Sequence, residues 1–276
     1  MLLELDAGER DDEPEELWRL VDVIAIACGG HAGTDASMAR VIAGCRADQQ
    51  LGAHPSYPDR ARFGREPMQL SSATLEASVA DQCASLARVA ADHGRAIQWV
   101  KPHGALYHAA ADDEDIARAV LRGACWSLGD SVIVIGPSLD PSTVVLSPWS
   151  SPPPSRPWSK GGSSPSWALP GGPSSSTMFA AVAIPPRGAL AAIAAELGLR
   201  YAREGFADRR MLADGSLMPR TGPNALITDP VSAAAQAKSL VDVDVISLHA
   251  DTPNALAIAH AVRRAVGSTG PAPARR

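Results

Sequence analysis

The chain has 276 residues, 46% of them hydrophobic, 20% charged and only 4% aromatic, with a net charge of −5 at pH 7. This mild acidity, with no basic run, argues against nucleic acid or an anionic membrane as the main partner. No stretch approaches the roughly 18 continuous apolar residues of a membrane span, and the length suits a single β/α barrel packed from Ala, Val, Leu and Ile.

The N-terminus, Met1-Leu2-Leu3-Glu4-Leu5-Asp6, turns acidic without a basic n-region, so no secretory signal is expected. Residues 2–5 form a first strand, and a helix is expected over Pro14 to Leu20. A second strand runs from Val21 to Ala27. The i, i+3, i+4, i+7 spacing of Met38, Val41, Ile42 and Cys45 predicts a helix over 35–47. A third strand covers 51–55. Ser71-Ser72 offers an N-cap for a long Ala-rich helix ending near His93, with Gly94 suited to the C′ position. Ile97 to Val100 is a strand, Asp112-Asp113 caps a helix, and 131–136 is the clearest buried strand.

Further on, a helix (189–197) stopped by Gly198 leads into a strand beginning at Leu199. Asp229-Pro230 and Thr252-Pro253 each place a capping side chain before proline at a helix start, on either side of a strand over 243–248. Cys28, Cys45, Cys83 and Cys125 are scattered and read as reduced thiols of a cytoplasmic protein. The βαβα alternation predicts parallel strands with helices outside, and seven or eight strands suit a closed TIM-like barrel. The expected organisation is one barrel domain over 1–136 and 188–276, interrupted by an irregular insert over 137–187. Pro, Ser or Gly supply 27 of the first 40 residues of that insert, which excludes helix or central strand, so it is expected to be disordered.

Five strand-like runs end in titratable groups: Ile24 to His31, Leu51 to Pro55 with His54, Val100 to Tyr107 with Lys101 and His103, Leu199 to Glu204 with Asp208-Arg209 following, and Val245 to Asp251 with His249. In a parallel barrel the carboxyl ends of the strands lie on one face, where such groups meet and chemistry is done.

Several of these runs are long enough to compare with known families. Ile26-Ala27-Cys28-Gly29-Gly30-His31-Ala32-Gly33, Gly52 to Asp59 with Phe63-Gly64-Arg65, Val100 to Tyr107, Phe206-Ala207-Asp208-Arg209 and Asp214 to Arg220 together resemble the lactam-utilisation (LamB/YcsF) family, over roughly 1–136 and 188–265. The resemblance implies a barrel of the glycoside hydrolase/deacetylase type. It also implies a role in ATP-dependent opening of 5-oxoproline to glutamate with two further subunits, of B and C type. The chain departs from the family pattern in places. Leu5-Asp6-Ala7-Gly8-Glu9 is two residues shorter than Leu-Asn-Ala-Asp-Leu-Gly-Glu, Gly30 stands for Phe, Thr34 for Asp, and His249-Ala250-Asp251 for His-Gly-Asp.

Opening a stable lactam with ATP requires cations near phosphates, a base for water and an acid for the departing nitrogen. Lys101, Arg65, Arg209 and Arg220 supply positive charge. His31, His54, His103 and His249 are candidate proton carriers, because imidazole titrates nearest neutrality. Glu204, Asp208 and Asp251 are candidate orienting groups or bases, with Asp6 and Asp59 facing substrate or ATP. Plainer readings stand beside these: His54 as a turn residue, Asp208-Arg209 as a rim ion pair, Asp251 favouring a helix N-terminus, and Cys28 as a small strand residue. His93 and His260 read as surface or capping residues.

No His-x-x-x-His spacing is present, so no tightly bound metal is expected. No glycine-rich phosphate loop occurs either, so ATP, with Mg2+, rests on the resemblance alone. Two other readings remain open: a metal-dependent hydrolase or deacetylase on the same barrel, and a degenerate, non-catalytic family member.

Overall fold

A computed structural model describes residues 1–138, 188–211, 217–220 and 222–267. The insert expected at 137–187 lies, from 139 onward, outside the described residues. So does the Asp214-Gly215-Ser216 part of the fifth motif. Among the described residues seven parallel strands close into a barrel in sequence order: β1 (Leu2–Ala7), β2 (Val23–Ala27), β3 (Gln50–His54), β4 (Ile97–Val100), β5 (Ile133–Pro137), β6 (Arg200–Phe206) and β7 (Val245–His249). Closure is made by β7 against β1, with Leu2 opposite Val245 and Asp6 opposite His249. The helices are α1 (Glu15–Arg19), α2 (Asp35–Gly44), α3 (Ser72–Asp92), α4 (Gly104–Asp112), α5 (Glu114–Leu128), α6 (Ala189–Glu196), α7 (Pro230–Ser239) and α8 (Ala255–Val266). None is long and apolar enough to cross a membrane.

Most helix starts follow their local chemistry. The side chains of Thr34, Ser71, Asp113 and Asp229 accept hydrogen bonds from the first turns of α2, α3, α5 and α7. Two expectations are corrected. The run Lys101 to Tyr107 reads as extended, yet α4 begins at Gly104 with His103 at its N-cap position. Thr252 does not cap a helix at Pro253: α8 begins at Ala255, and the Thr252 hydroxyl instead donates to Asp208 at 2.7 Å.

The two-residue period of the strands sorts side chains to opposite faces of the barrel wall. Leu3, Leu5, Ile24, Ile26, Leu51, Ala53, Val100 and Val134 face outward into one apolar layer with Val79, Leu86, Leu121, Ile193 and Ile258 of the helices. Each fully buried Leu, Ile or Val there contributes about 1.5–3 kcal/mol over an exposed one. The inward set is layered along the axis. Val23, Trp99, Ile135, Ala202 and Val245 close the amino-terminal half of the interior, with the Trp99 indole donating to Gln50 at 2.6 Å. Above them the same inward parity, set by the registers Glu4 opposite Ser247 and Asp6 opposite His249, delivers polar groups. That switch from apolar to ionic residues positions the site.

Candidate active site

The site is built on a buried ammonium. Lys101, 3% exposed, places Nζ at 2.8 Å from each of Glu4, Asp6 and Glu204. Burial alone would strip its proton, but the three carboxylates hold its pKa well above the ordinary lysine value. Three negative charges around one positive charge cannot all persist in so dry a place. Ser247 shows how the excess is relieved: its single hydroxyl lies within hydrogen-bond distance of both Glu4 and Glu204. One proton cannot serve two carboxylates, so one carboxyl is itself a donor. Burial, with Asp6 beside it, raises the Glu4 pKa well above the usual carboxylate range, which disposes Glu4 to hold that proton. Asp6 is the opposite case. Burial would raise its pKa, but His54, Lys101 and His249 outweigh it and keep the group anionic.

A second cluster sits over one side of this floor. His31, from the loop after β2, stacks on His103, from the loop after β4, with ring centroids 3.6 Å apart and planes within 3°. His54, at the end of β3, meets both rings edge-on. The Glu9 carboxylate, delivered by the Gly8 turn after β1, places Oε1 at 3.0 Å from His31 Nε2, 3.2 Å from His103 Nδ1 and 3.7 Å from His54 Nε2. One donor atom from each of these four residues lies within 4.8 Å of all the others, a grouping that can hold a metal ion.

The His-Gly pair after β4 has a steric origin. Gly104 has φ +57°, and a Cβ there would lie 2.6 Å from the Gly64 carbonyl oxygen. Close packing of these two turns sets the height of His103. Gly30, where the family pattern has Phe, leaves room for the buried Gln82 amide, which bonds both backbone groups of Ser56.

Across the mouth, Asp208 accepts from the His249 backbone N–H and from its ring Nδ1, each at 2.9 Å, and from the Thr252 hydroxyl. Burial pushes the Asp208 pKa up, but His249 and these donors bring it below the usual range, so it is a carboxylate. Because a carboxylate only accepts, His249 carries its proton on Nδ1 and presents the Nε2 lone pair, 3.9 Å from Asp6. Arg65 and Arg220 both reach Asp251. Arg209 is 7% exposed. Burial, with Arg220 close by, lowers its pKa to about 10, which leaves it charged at neutral pH.

A cavity of about 490 Å³ opens between these groups. Eight of the residues singled out in the sequence line it: Asp6, His54, Arg65, Lys101, His103, Arg209, Arg220 and His249. His31 lies behind His103, Glu204 beneath Lys101, Asp208 behind His249, and Asp251 between two arginines. Asp59 is elsewhere: it caps the short helical turn Arg60–Arg62 and pairs with Arg62. Glu4, Glu9, Tyr107, Phe206 and Ser247 belong to the site but were not singled out as site residues in the sequence. Glu4 has a legible signal, because it shares the inward parity of Asp6 two residues away. Cys28 is buried, with its thiol pushed up to about 12, and the four cysteines are free.

A closed parallel barrel whose post-strand loops converge imidazoles, carboxylates and guanidiniums on one cavity defines a β/α-barrel protein with a polar pocket at its carboxyl end. The chain belongs to the LamB/YcsF family, which it matches over residues 5–144 and 177–274. It is 33% identical over 289 residues to the A-type 5-oxoprolinase subunit of Methylococcus capsulatus, spanning 97% of this chain and 92% of that one. It is 30% identical over 272 residues to the corresponding A-type 5-oxoprolinase subunit of Pyrococcus furiosus, spanning 93% and 88%. The crystal structure of a lactam utilization protein from Thermus thermophilus superposes with a TM-score of 0.71 at 27% identity, over 96% of this chain and 95% of that chain.

Proposed function

We propose that this chain carries the ring-opening site of an ATP-dependent 5-oxoprolinase, acting with two further subunits to convert 5-oxo-L-proline, ATP and water into L-glutamate, ADP and phosphate. The names borne by its relatives support the substrate and the multi-subunit assembly. The observation that carries the chemistry is His249: its Nε2 lone pair is aimed into a cavity that also holds three guanidiniums.

In this reading Arg65, Arg209 and Arg220 receive the carboxylate of 5-oxoproline and the phosphate oxygens that develop on the lactam, since guanidinium matches both anions in charge and shape. His249 Nε2 takes the proton of the attacking water, with Asp208 fixing its tautomer and Asp6 stabilising the imidazolium that results. The same nitrogen then returns the proton to the departing ring amine as the C–N bond breaks. ATP, entering as its magnesium complex, transfers its terminal phosphoryl group to the lactam oxygen and leaves as ADP, so that ring opening yields an acyl phosphate, which a second water hydrolyses to L-glutamate and phosphate. In this reading the protein works in the cytoplasm, where ATP is plentiful.

The test is reconstitution of the full chain with the two other subunits, ATP and 5-oxoproline. Glutamate and phosphate should appear in equal amounts, and only when this chain is present. Equal glutamate without the chain would remove the assignment. Omitting ATP separates the rival reading, a stand-alone hydrolase on the same barrel.

A further inference from the structure

We propose that Glu9, His31, His54 and His103 form a binding site for a divalent transition-metal ion of the zinc type. The positions of the ring protons point to it. His54 Nδ1 lies 2.8 Å from the Lys101 carbonyl oxygen, and His103 Nε2 lies 3.0 Å from the Phe63 carbonyl oxygen. A carbonyl can only accept, so each of those nitrogens carries a hydrogen. In the neutral rings this leaves His54 Nε2 and His103 Nδ1 as bare lone pairs, and the backbone holds them facing each other at 2.9 Å.

Glu9 Oε1, a third electron-rich atom, sits 3.2 and 3.7 Å from the same two nitrogens. Three lone-pair donors this close repel one another unless a cation lies among them. A single added proton on His103 Nδ1 could serve His54 and Glu9 only as one shared bond, whereas a cation draws all three lone pairs at once. The backbone carbonyls behind His54 and His103 are also the usual outer partners of metal-bound imidazoles, which give their second N–H to such acceptors.

An ion bound tetrahedrally at about 2.0–2.1 Å requires donor separations of about 3.3–3.4 Å; four of the six separations here measure 2.9 to 3.7 Å, and all six are within 4.8 Å. Three nitrogens and one carboxylate oxygen suit zinc, cobalt or nickel better than magnesium or calcium. His31 is nearly fully buried; its Nε2 faces Glu9 at 3.0 Å, and its Nδ1 has no hydrogen-bond partner, so no backbone acceptor fixes which of its nitrogens carries the hydrogen. Glu9, His54 and His103 all line the cavity, so an ion there faces it, where it would polarise a carbonyl oxygen or a water.

This site stands on geometry and does not depend on 5-oxoproline being the substrate. It replaces the expectation of no tightly bound metal, which had only the linear spacing of histidines to go on. The experiment strips the full chain with a chelator, then titrates it with Zn2+ by calorimetry and with Co2+ by visible absorption, without substrate. The expected result is one equivalent bound, with the intense visible bands of four-coordinate Co2+, and affinity reduced about 100-fold or more in Glu9→Gln and His103→Gln. His93→Gln, remote from the cluster, should bind as the native chain does. Circular dichroism establishes that each variant is folded, and His31→Gln replaces any that is not. Failure of the folded native chain to take up zinc at micromolar concentration overturns the proposal. Equal binding by Glu9→Gln and the native chain overturns it too, by placing the ion elsewhere. Either outcome leaves the ring-opening assignment to be judged by glutamate formation alone.

Discussion

Asp208 grips His249 at two points, its Oδ2 on the backbone N–H and its Oδ1 on the ring Nδ1–H. The first bond fixes where the residue sits, and the second fixes which nitrogen faces the cavity. Asp208→Asn keeps the shape but can turn an amide N–H toward Nδ1, which then favours the wrong tautomer. The expected result in the reconstituted enzyme is a fall in kcat of about 10²–10⁴-fold with KM little changed. An unchanged kcat would show that His249 does not depend on this carboxylate.

The same carboxylate ties stability to acid. Its pKa is lower in the folded chain than in the unfolded one, so as pH falls the unfolded state takes the proton first. The stabilisation is therefore whole above about pH 4, the unfolded aspartate value, and is lost as pH falls through that value toward the folded one. Melting temperatures between pH 6 and pH 3 should drop more steeply in the native chain than in Asp208→Asn. Parallel curves would mean that Asp208 has no part in acid stability.

The ammonium under the floor is expected to be structural as well as electrostatic. Lys101→Met leaves Asp6 and Glu204 buried without a counter-charge, at a cost of about 3–5 kcal/mol. Glu4, disposed to be the neutral acid, should tolerate replacement by Gln at less than about 1 kcal/mol. Urea unfolding of the two variants checks the pair. A larger loss for Glu4→Gln than for Lys101→Met reverses the charge assignment.

Gly104→Ala tests why the motif reads His-Gly. The new Cβ meets the Gly64 carbonyl oxygen at 2.6 Å, at a φ that L residues adopt with strain. A loss of about 1–3 kcal/mol is expected. A native melting temperature would show that the turn has room to move.

Much of this was legible in the sequence because it is local. The Asp229-Pro230 start of α7, the Ser71 cap of α3 and the Gly94 stop depend on neighbouring residues and fall where expected. Strand ends carrying His54 and His249 were legible for the same reason. What escaped depends on the third dimension. Thr252 resembles a helix cap, but the long-range pull of Asp208 takes its hydroxyl. Helix α4 was hidden because Lys101-Pro102-His103 is extended and the chain turns into helix only where Gly104 can pass Gly64. Glu9 carries no sign in its own neighbourhood that three imidazoles from different loops will close on it. The metal-type grouping was invisible for that reason, since its donors come from four separate loops and strand ends.

That one cavity gathers these groups to open a lactam ring is tested most directly by glutamate formation from 5-oxoproline and ATP in the reconstituted complex, comparing the native chain with a folded His249→Gln variant. ATP-dependent glutamate is predicted from the native chain, with a rate at least about 100-fold lower from the variant. Glutamate formed at the native rate by His249→Gln would contradict it.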